Sequence, residues 1–171
     1  MDSQNKIDFI KTLDEAEHGD ASAQLLLGTL FYEGNGVEQD RKKAISWFKK
    51  AAEQGNVRAQ YLTGFSYFCG NVVSKNYEEA EKWLLKAANQ NHAKSQYYLG
   101  LIYSEKDYDK AEPWIMRAAE KGHDKAQMLL GLMYSAGQGV EKDDEQAMKW
   151  VRKSAEQGNE DARKVLVEMS D

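Results

Sequence analysis

The four tryptophans of the chain, Trp47, Trp83, Trp114 and Trp150, are separated by 36, 31 and 36 residues. Other residues keep the same step: Ala44, Ala80, Ala111 and Ala147; Ala52, Ala88, Ala119 and Ala155; Gln24, Gln60, Gln96 and Gln127; Gly28, Gly64, Gly100 and Gly131. A period in this range marks a solenoid, in which each unit buries its apolar face only against its neighbours. The stretch LFYEGNGVEQDRKKAISWFKKAAEQG, Leu30 to Gly55, resembles a phosphate-binding loop feeding a helix. Leu132 to Gly158, however, repeats its glycines, its Trp and its closing Gln-Gly. With no strand before it and no G-K-[ST] ending, the loop is punctuation within a repeat.

Each unit predicts two helices. Helix A starts at the Ala/Ser-Gln pair and ends at Gly34, Gly70 or Gly137, where a residue that tolerates positive φ closes it. Helix B starts at the N-cap types Asp40, Asn76, Asp107 and Asp143 and ends at Gly55, Asn91, Gly122 and Gly158. Ala44, Trp47, Ala51 and Ala52 fall on one face at a 3.6 period, the expected inter-helix seam. The helix A glycine costs about 1 kcal/mol of helix propensity relative to Ala, so its recurrence implies a close approach of two helices. The third unit lacks the Gly-x-Gly-Val loop between Ser104 and Asp107 and carries Pro113 within helix B, which predicts irregular curvature there.

The expected organisation is a single all-α domain over 1–171. A capping helix at 4–18 has Lys11 at the Trp position, repeats follow at 23–58, 59–94, 95–125 and 126–161, and a second capping helix covers 162–171. In that last helix Arg163 replaces the Gln, Val167 the Gly and Ser170 the aromatic. A terminal helix with no successor has no need of the close approach.

The net charge of −5 and pI near 5.3 argue against nucleic acid as the main ligand, since phosphate binding needs a concentrated basic surface. The single cysteine, Cys69, excludes an intramolecular disulfide and favours a reducing compartment. No run approaches the roughly 20 apolar residues of a membrane span, and the polar, acidic N-terminus has no signal-peptide pattern. Together these features predict a cytoplasmic protein with no membrane insertion.

Candidate chemistry finds little support. No histidine stands near Cys69 in the repeat register, so a bystander thiol is the expectation. His92 and His123 occupy equivalent inter-repeat turns, but a structural zinc site needs about four ligands and no Cys/His cluster completes one. His18 is expected to be a solvated turn residue. Glu33 and Glu105 lie two repeats apart, too far for paired acid/base work. Arg41 to Lys43 read as the solvated first turn of a helix. No catalytic residue, metal site or cofactor is therefore expected.

The pattern of Ala-Gln, Leu-Gly, an aromatic, Gly-x-Gly-Val, Asp-x-x-x-Ala, Trp and Ala-Ala-x-x-Gly resembles the Sel-one-like repeat, a relative of the tetratricopeptide repeat. Four units cover 23 to 161; "GNVVSKN" and "SEKD" depart from the loop pattern. The resemblance implies a right-handed α-α superhelical solenoid whose members bind other proteins. Bacterial members include adaptors, envelope-associated factors and immunity proteins against secreted toxins.

It also implies that helix A lines a concave groove. The groove positions are Leu25, Thr29, Tyr32 and Glu33; Tyr61, Phe65, Phe68 and Cys69; Tyr97, Leu101, Ser104 and Glu105; and Met128, Leu132, Ser135 and Ala136. Ser22, Arg58, Lys94 and Lys125 stand just ahead of each helix A, the last three forming a basic edge suited to an acidic peptide or a carboxylate terminus. The expected function is a non-enzymatic scaffold that binds a protein or peptide. An immunity protein facing a toxin or effector is the narrower alternative, and an envelope-associated hydrolase the rival class.

Overall fold

A computed structural model describes residues 3–168 of the chain, with side chains from Phe9 to Glu168. The described residues form ten α-helices and no strand. They are α1 (Ser3–Glu17), α2 (Ala21–Glu33), α3 (Arg41–Glu53), α4 (Val57–Cys69), α5 (Tyr77–Asn89), α6 (Ala93–Ser104), α7 (Tyr108–Glu120), α8 (Asp124–Ala136), α9 (Asp144–Glu156) and α10 (Glu160–Glu168). They divide into two compact units, the first ending at Gln90 and the second starting at Asn91. In the first unit α1 to α5 pack in sequence, and in the second α6 to α10 do so. Ser170, assigned above to the terminal cap, lies outside the described residues.

Capping by side chains sets the helix starts. Asp40, Asn76, Asp107 and Asp143 cap the B helices as expected, with Asp40 accepting from the Lys43 N–H at 2.9 Å and Asp143 from Gln146 at 2.9 Å. The A helices begin two residues before the Ala/Ser-Gln pair, because their caps are Asp20, Asn56, His92 and His123. Each cap accepts from the backbone N–H three residues on, at Ala23, Ala59, Ser95 and Ala126. Arg58, Lys94 and Lys125 therefore sit inside the first helical turn instead of ahead of it.

The glycine-flanked loop is a helix terminus. Gly34 caps α2 in the left-handed conformation, and the Asp40 N–H returns to the Phe31 carbonyl at 2.9 Å. Asn76 to Tyr67 and Asp143 to Tyr134 repeat that return bond, each at 3.0 Å. In the shortened third repeat Asp107 bonds to the nearer Tyr103 carbonyl at 2.8 Å. Helix α7 runs through Pro113 without a break. The ring removes one intrahelical donor, so Pro113→Ala should raise the midpoint of thermal unfolding, corresponding to about 1–3 kcal/mol.

The residue that meets each helix A glycine is the one after the Trp: Phe48, Leu84, Ile115 or Val151. A Cβ on Gly131 would lie 2.6 Å from Val151 Cγ2 and 2.9 Å from the Ala147 carbonyl oxygen, so the backbones are in direct contact. The tryptophans differ among themselves: Trp83 and Trp150 are buried, whereas Trp47 and Trp114 are only partly so. Over each ring lies the cation three residues on. Lys50, Lys86, Arg117 and Lys153 stand 3.8, 4.4, 5.0 and 4.4 Å from the respective ring centroids.

The recurring glutamine is an inter-repeat staple. Gln24, Gln60 and Gln127 donate Nε2 to the carbonyls of Ala16, Ala52 and Ala119 on the preceding helix, at 3.1, 3.2 and 3.1 Å. Their Oε1 atoms accept from Gln54, Gln90 and Gln157 of their own repeat at 2.8, 2.9 and 2.5 Å. Arg163 in α10 keeps the first of these bonds, its Nε donating to the Ala155 carbonyl at 3.4 Å. Gln127→Leu would leave buried polar groups unpaired and should cost about 1–3 kcal/mol in urea unfolding. A loss within error would show that water replaces the staple.

Candidate functional site

Positions that are equivalent in the repeat register line a concavity in each unit. In the first unit the walls are α2 and α4, enclosing about 210 Å³ among Thr29, Tyr32, Glu33, Phe48, Arg58, Tyr61, Leu62, Phe65, Ser66 and Asn71. Tyr61 and Phe65, one helical turn apart, stack at 5.7 Å, and Tyr32 tilts against Phe48 at 6.4 Å. The Thr29 and Ser66 hydroxyls donate to the Leu25 and Leu62 carbonyls of their own helices, at 2.9 and 2.7 Å. With those donors engaged, the wall is mainly aromatic, and its charges are Arg58 and Glu33. Arg41 also lies over the Tyr32 ring, 5.4 Å from its centroid.

In the second unit α6, α8 and the start of α10 enclose about 510 Å³. Tyr97, Leu101, Met128, Leu129 and Leu132 supply the apolar wall, with Asp124, Lys125, Asn159, Glu160 and Asp161 around it. Of the groove positions expected from sequence, Tyr97, Leu101, Lys125, Met128 and Leu132 thus meet in one place, and Thr29, Tyr32, Arg58, Tyr61 and Phe65 meet in another.

Apart from Glu33, which also lines the first concavity, the remaining expected positions lie outside these two linings. Leu25 packs against the buried cluster of Ala51, Ala52, Ala59 and Trp83. Phe68 packs on Tyr77 at the start of α5, with ring centroids 5.6 Å apart. Lys94 is exposed in the first turn of α6, and Cys69 is exposed at the end of α4. Partial burial pushes the Cys69 thiol up, against the partial pull of Lys75; this is the opposite of an activated thiolate. Glu33 belongs to the first unit and Glu105 to the second.

Sequence reasoning missed the carboxylates of the second concavity. Carrying the register one repeat further finds them, because Ala162 is equivalent to Ala126, which places Asp161 where Lys125 stands. The Asp124 carboxylate accepts from Asn159 Nδ2 at 3.1 Å, tying α10 to α8.

Two histidines sit beside this wall as helix caps. His123 Nδ1 accepts from the Ala126 N–H at 3.2 Å, and its ring stacks on Tyr97 at 4.6 Å. His92 Nδ1 lies 3.3 Å from the Ser95 N–H and 2.9 Å from its hydroxyl. Desolvation lowers both imidazoles; Lys94 and His123 add to this at His92, and Lys94 and Lys125 at His123, where Asp124 opposes. The folded state therefore binds fewer protons than the unfolded state. Their stabilising effect is complete above the unfolded value near 6.5 and is lost as pH falls from there through the folded values. Exposed His18 titrates in the opposite sense, raised first by its bond to the Asp14 carbonyl. In a His18→Gln background, stability should fall between pH 7.5 and pH 5.5 (about one unit either side of the unfolded value). His92→Asn with His123→Asn should flatten that dependence.

A family model described as the Sel1 repeat matches residues 21–56, 57–92, 93–123 and 124–159. No curated protein matches the chain. Among solved structures, the chain is similar to a protective antigen of uropathogenic Escherichia coli with an SLR fold, at 38% identity and a TM-score of 0.84 over 88% of this chain and 33% of that one. It is also similar to a Sel1 repeat protein from Oxalobacter formigenes, at 33% identity and a TM-score of 0.83 over 92% of this chain and 66% of that one. An immunity protein from Pseudomonas aeruginosa shares the fold at 20% identity and a TM-score of 0.56, over 95% of this chain and 69% of that one. The chain thus spans one third and about two thirds of the length of the first two. No helix among the described residues is long and apolar enough to cross a membrane. With four repeat matches in the register set by its tryptophans, the chain belongs to the Sel1 repeat family.

Proposed function

We propose that the chain is a non-enzymatic scaffold that holds a segment of another protein or peptide against the walls formed by its A helices. The observation that carries this reading is the convergence, in each unit, of register-equivalent apolar side chains around a concavity. Two of these side chains, Tyr32 and Leu132, remain 37% exposed. Concave apolar surfaces with aromatics and Met are typical of protein-binding sites. A solenoid leaves such positions free to vary, because the recurring Ala, Gly, Gln and Trp supply the packing.

The test is capture from the source cell on immobilised full-length chain, compared with a variant carrying Tyr61→Ser and Leu132→Ser, one change in each concavity. A partner held by the parent and lost by the variant, with unchanged circular dichroism, is the expected result. A partner held equally by both would place binding on another face. For the narrower reading, an immunity protein against a secreted toxin, co-expression of the chain with the captured partner should relieve that partner's toxicity.

A further inference from the structure

We propose that the concavity of the second unit selects a cationic, apolar segment of its partner, one that presents Lys or Arg side chains to the start of α10. The inference rests on the scaffold reading above and adds the chemistry of the occupant. The position held by Arg58, Lys94 and Lys125 in successive A helices is held in α10 by Asp161. With Asp124 and Glu160, this places three carboxylates around a lining whose one cation is Lys125.

The two carboxylates of α10 are open to exchange. Asp161 pairs with Lys164 at 3.5 Å and Glu160 with Arg163 at 2.6 Å, but every one of these side chains is more than half exposed. Exposed pairs of this kind hold little energy, so an incoming cation can displace them. Met128 and Leu132 supply adaptable apolar surface in the same lining. Lys and Arg match that combination, since their aliphatic stems lie on apolar surface while their heads reach polar groups beside it. An acidic segment would bring its carboxylates against three of the same sign.

The test uses the full-length, nitrogen-15-labelled chain and two synthetic peptides that differ only in charge. One alternates Leu with Lys and Arg; the other alternates Leu with Glu. The cationic peptide should shift amide resonances at the starts of α8 and α10, and its affinity should fall as salt is raised. Glu160→Gln with Asp161→Asn should weaken it about tenfold, with Asn159 still capping α10 through the Ala162 N–H at 3.0 Å. Should that variant fray α10, Lys125→Gln on α8 provides the independent measurement and should tighten the cationic peptide. Equal binding of the two peptides, or preference for the acidic one, overturns the proposal and leaves the scaffold reading standing. If neither peptide moves an amide of the A-helix walls, both fall. Concentration-dependent self-association that buries the α10 surface also overturns the proposal, by making that face a contact between copies of the chain.

Discussion

Trp83→Ala should lower the free energy of unfolding by about 3–5 kcal/mol, the cost of emptying a large, closed site. Trp83 is 2% exposed and packs with Ala51, Ala52 and Ala59, flanked by Leu25 and Tyr67. These neighbours belong to helices that already touch through small residues, so collapse into the vacated space would require backbone movement. Trp47→Ala should cost less, under about 2 kcal/mol, because its ring is partly in solvent and loses less buried area. Trp83→Phe should also be mild. The Nε1 proton of Trp83 has no acceptor among the described residues, so Phe removes a buried donor that makes no bond. Urea unfolding followed by circular dichroism decides the matter. A loss below about 1 kcal/mol for Trp83→Ala would show that the repeat does not depend on this seam.

Phe65→Ser should weaken partner binding by more than about 2 kcal/mol, roughly thirtyfold, whereas Phe68→Ser should act mainly on stability. The two rings lie three residues apart on α4 and look interchangeable in sequence. Phe65 stacks on Tyr61 and lines the first unit's concavity, where a partner side chain would meet it. Phe68 is turned toward Tyr77, joining the end of α4 to the start of α5. Titration calorimetry with the captured partner, alongside thermal melts of both variants, separates the roles. Loss of binding with Phe68→Ser at unchanged stability would reverse this assignment.

The contrast marks how far the repeat register can be read without a structure. Four occurrences of one residue at one position identify a packing requirement, and the glycine–helix B contacts agree with that inference. Its other half, the residue after each Trp, gives no such signal, because Phe48, Leu84, Ile115 and Val151 share only apolarity. The A helices start two residues ahead of the Ala/Ser-Gln pair for a related reason: Asp, Asn and His all serve as caps, and His is a poor statistical signal for one. Facing directions within a groove helix were the least legible. A period near 3.6 puts residues three and four apart on neighbouring stripes, and which stripe faces a partner depends on what the adjoining helix offers. The acidic end of the second concavity is hidden differently: a cap helix bounded at 162–171 leaves Glu160 and Asp161 as the tail of the preceding repeat, whereas they open α10.

The glutamine staple has a consequence for how such chains grow. On the side of the preceding helix its acceptor is a main-chain carbonyl, which every residue possesses, and Arg163 shows that even the donor can be exchanged. A junction that reads backbone is indifferent to the side chains its neighbour displays. Modules can then be duplicated, deleted or transplanted between proteins without a matching change across the seam, while the residues on their open faces diverge. The joint thereby works as a standard coupling, and the length of an array becomes a quantity that recombination can change by whole steps.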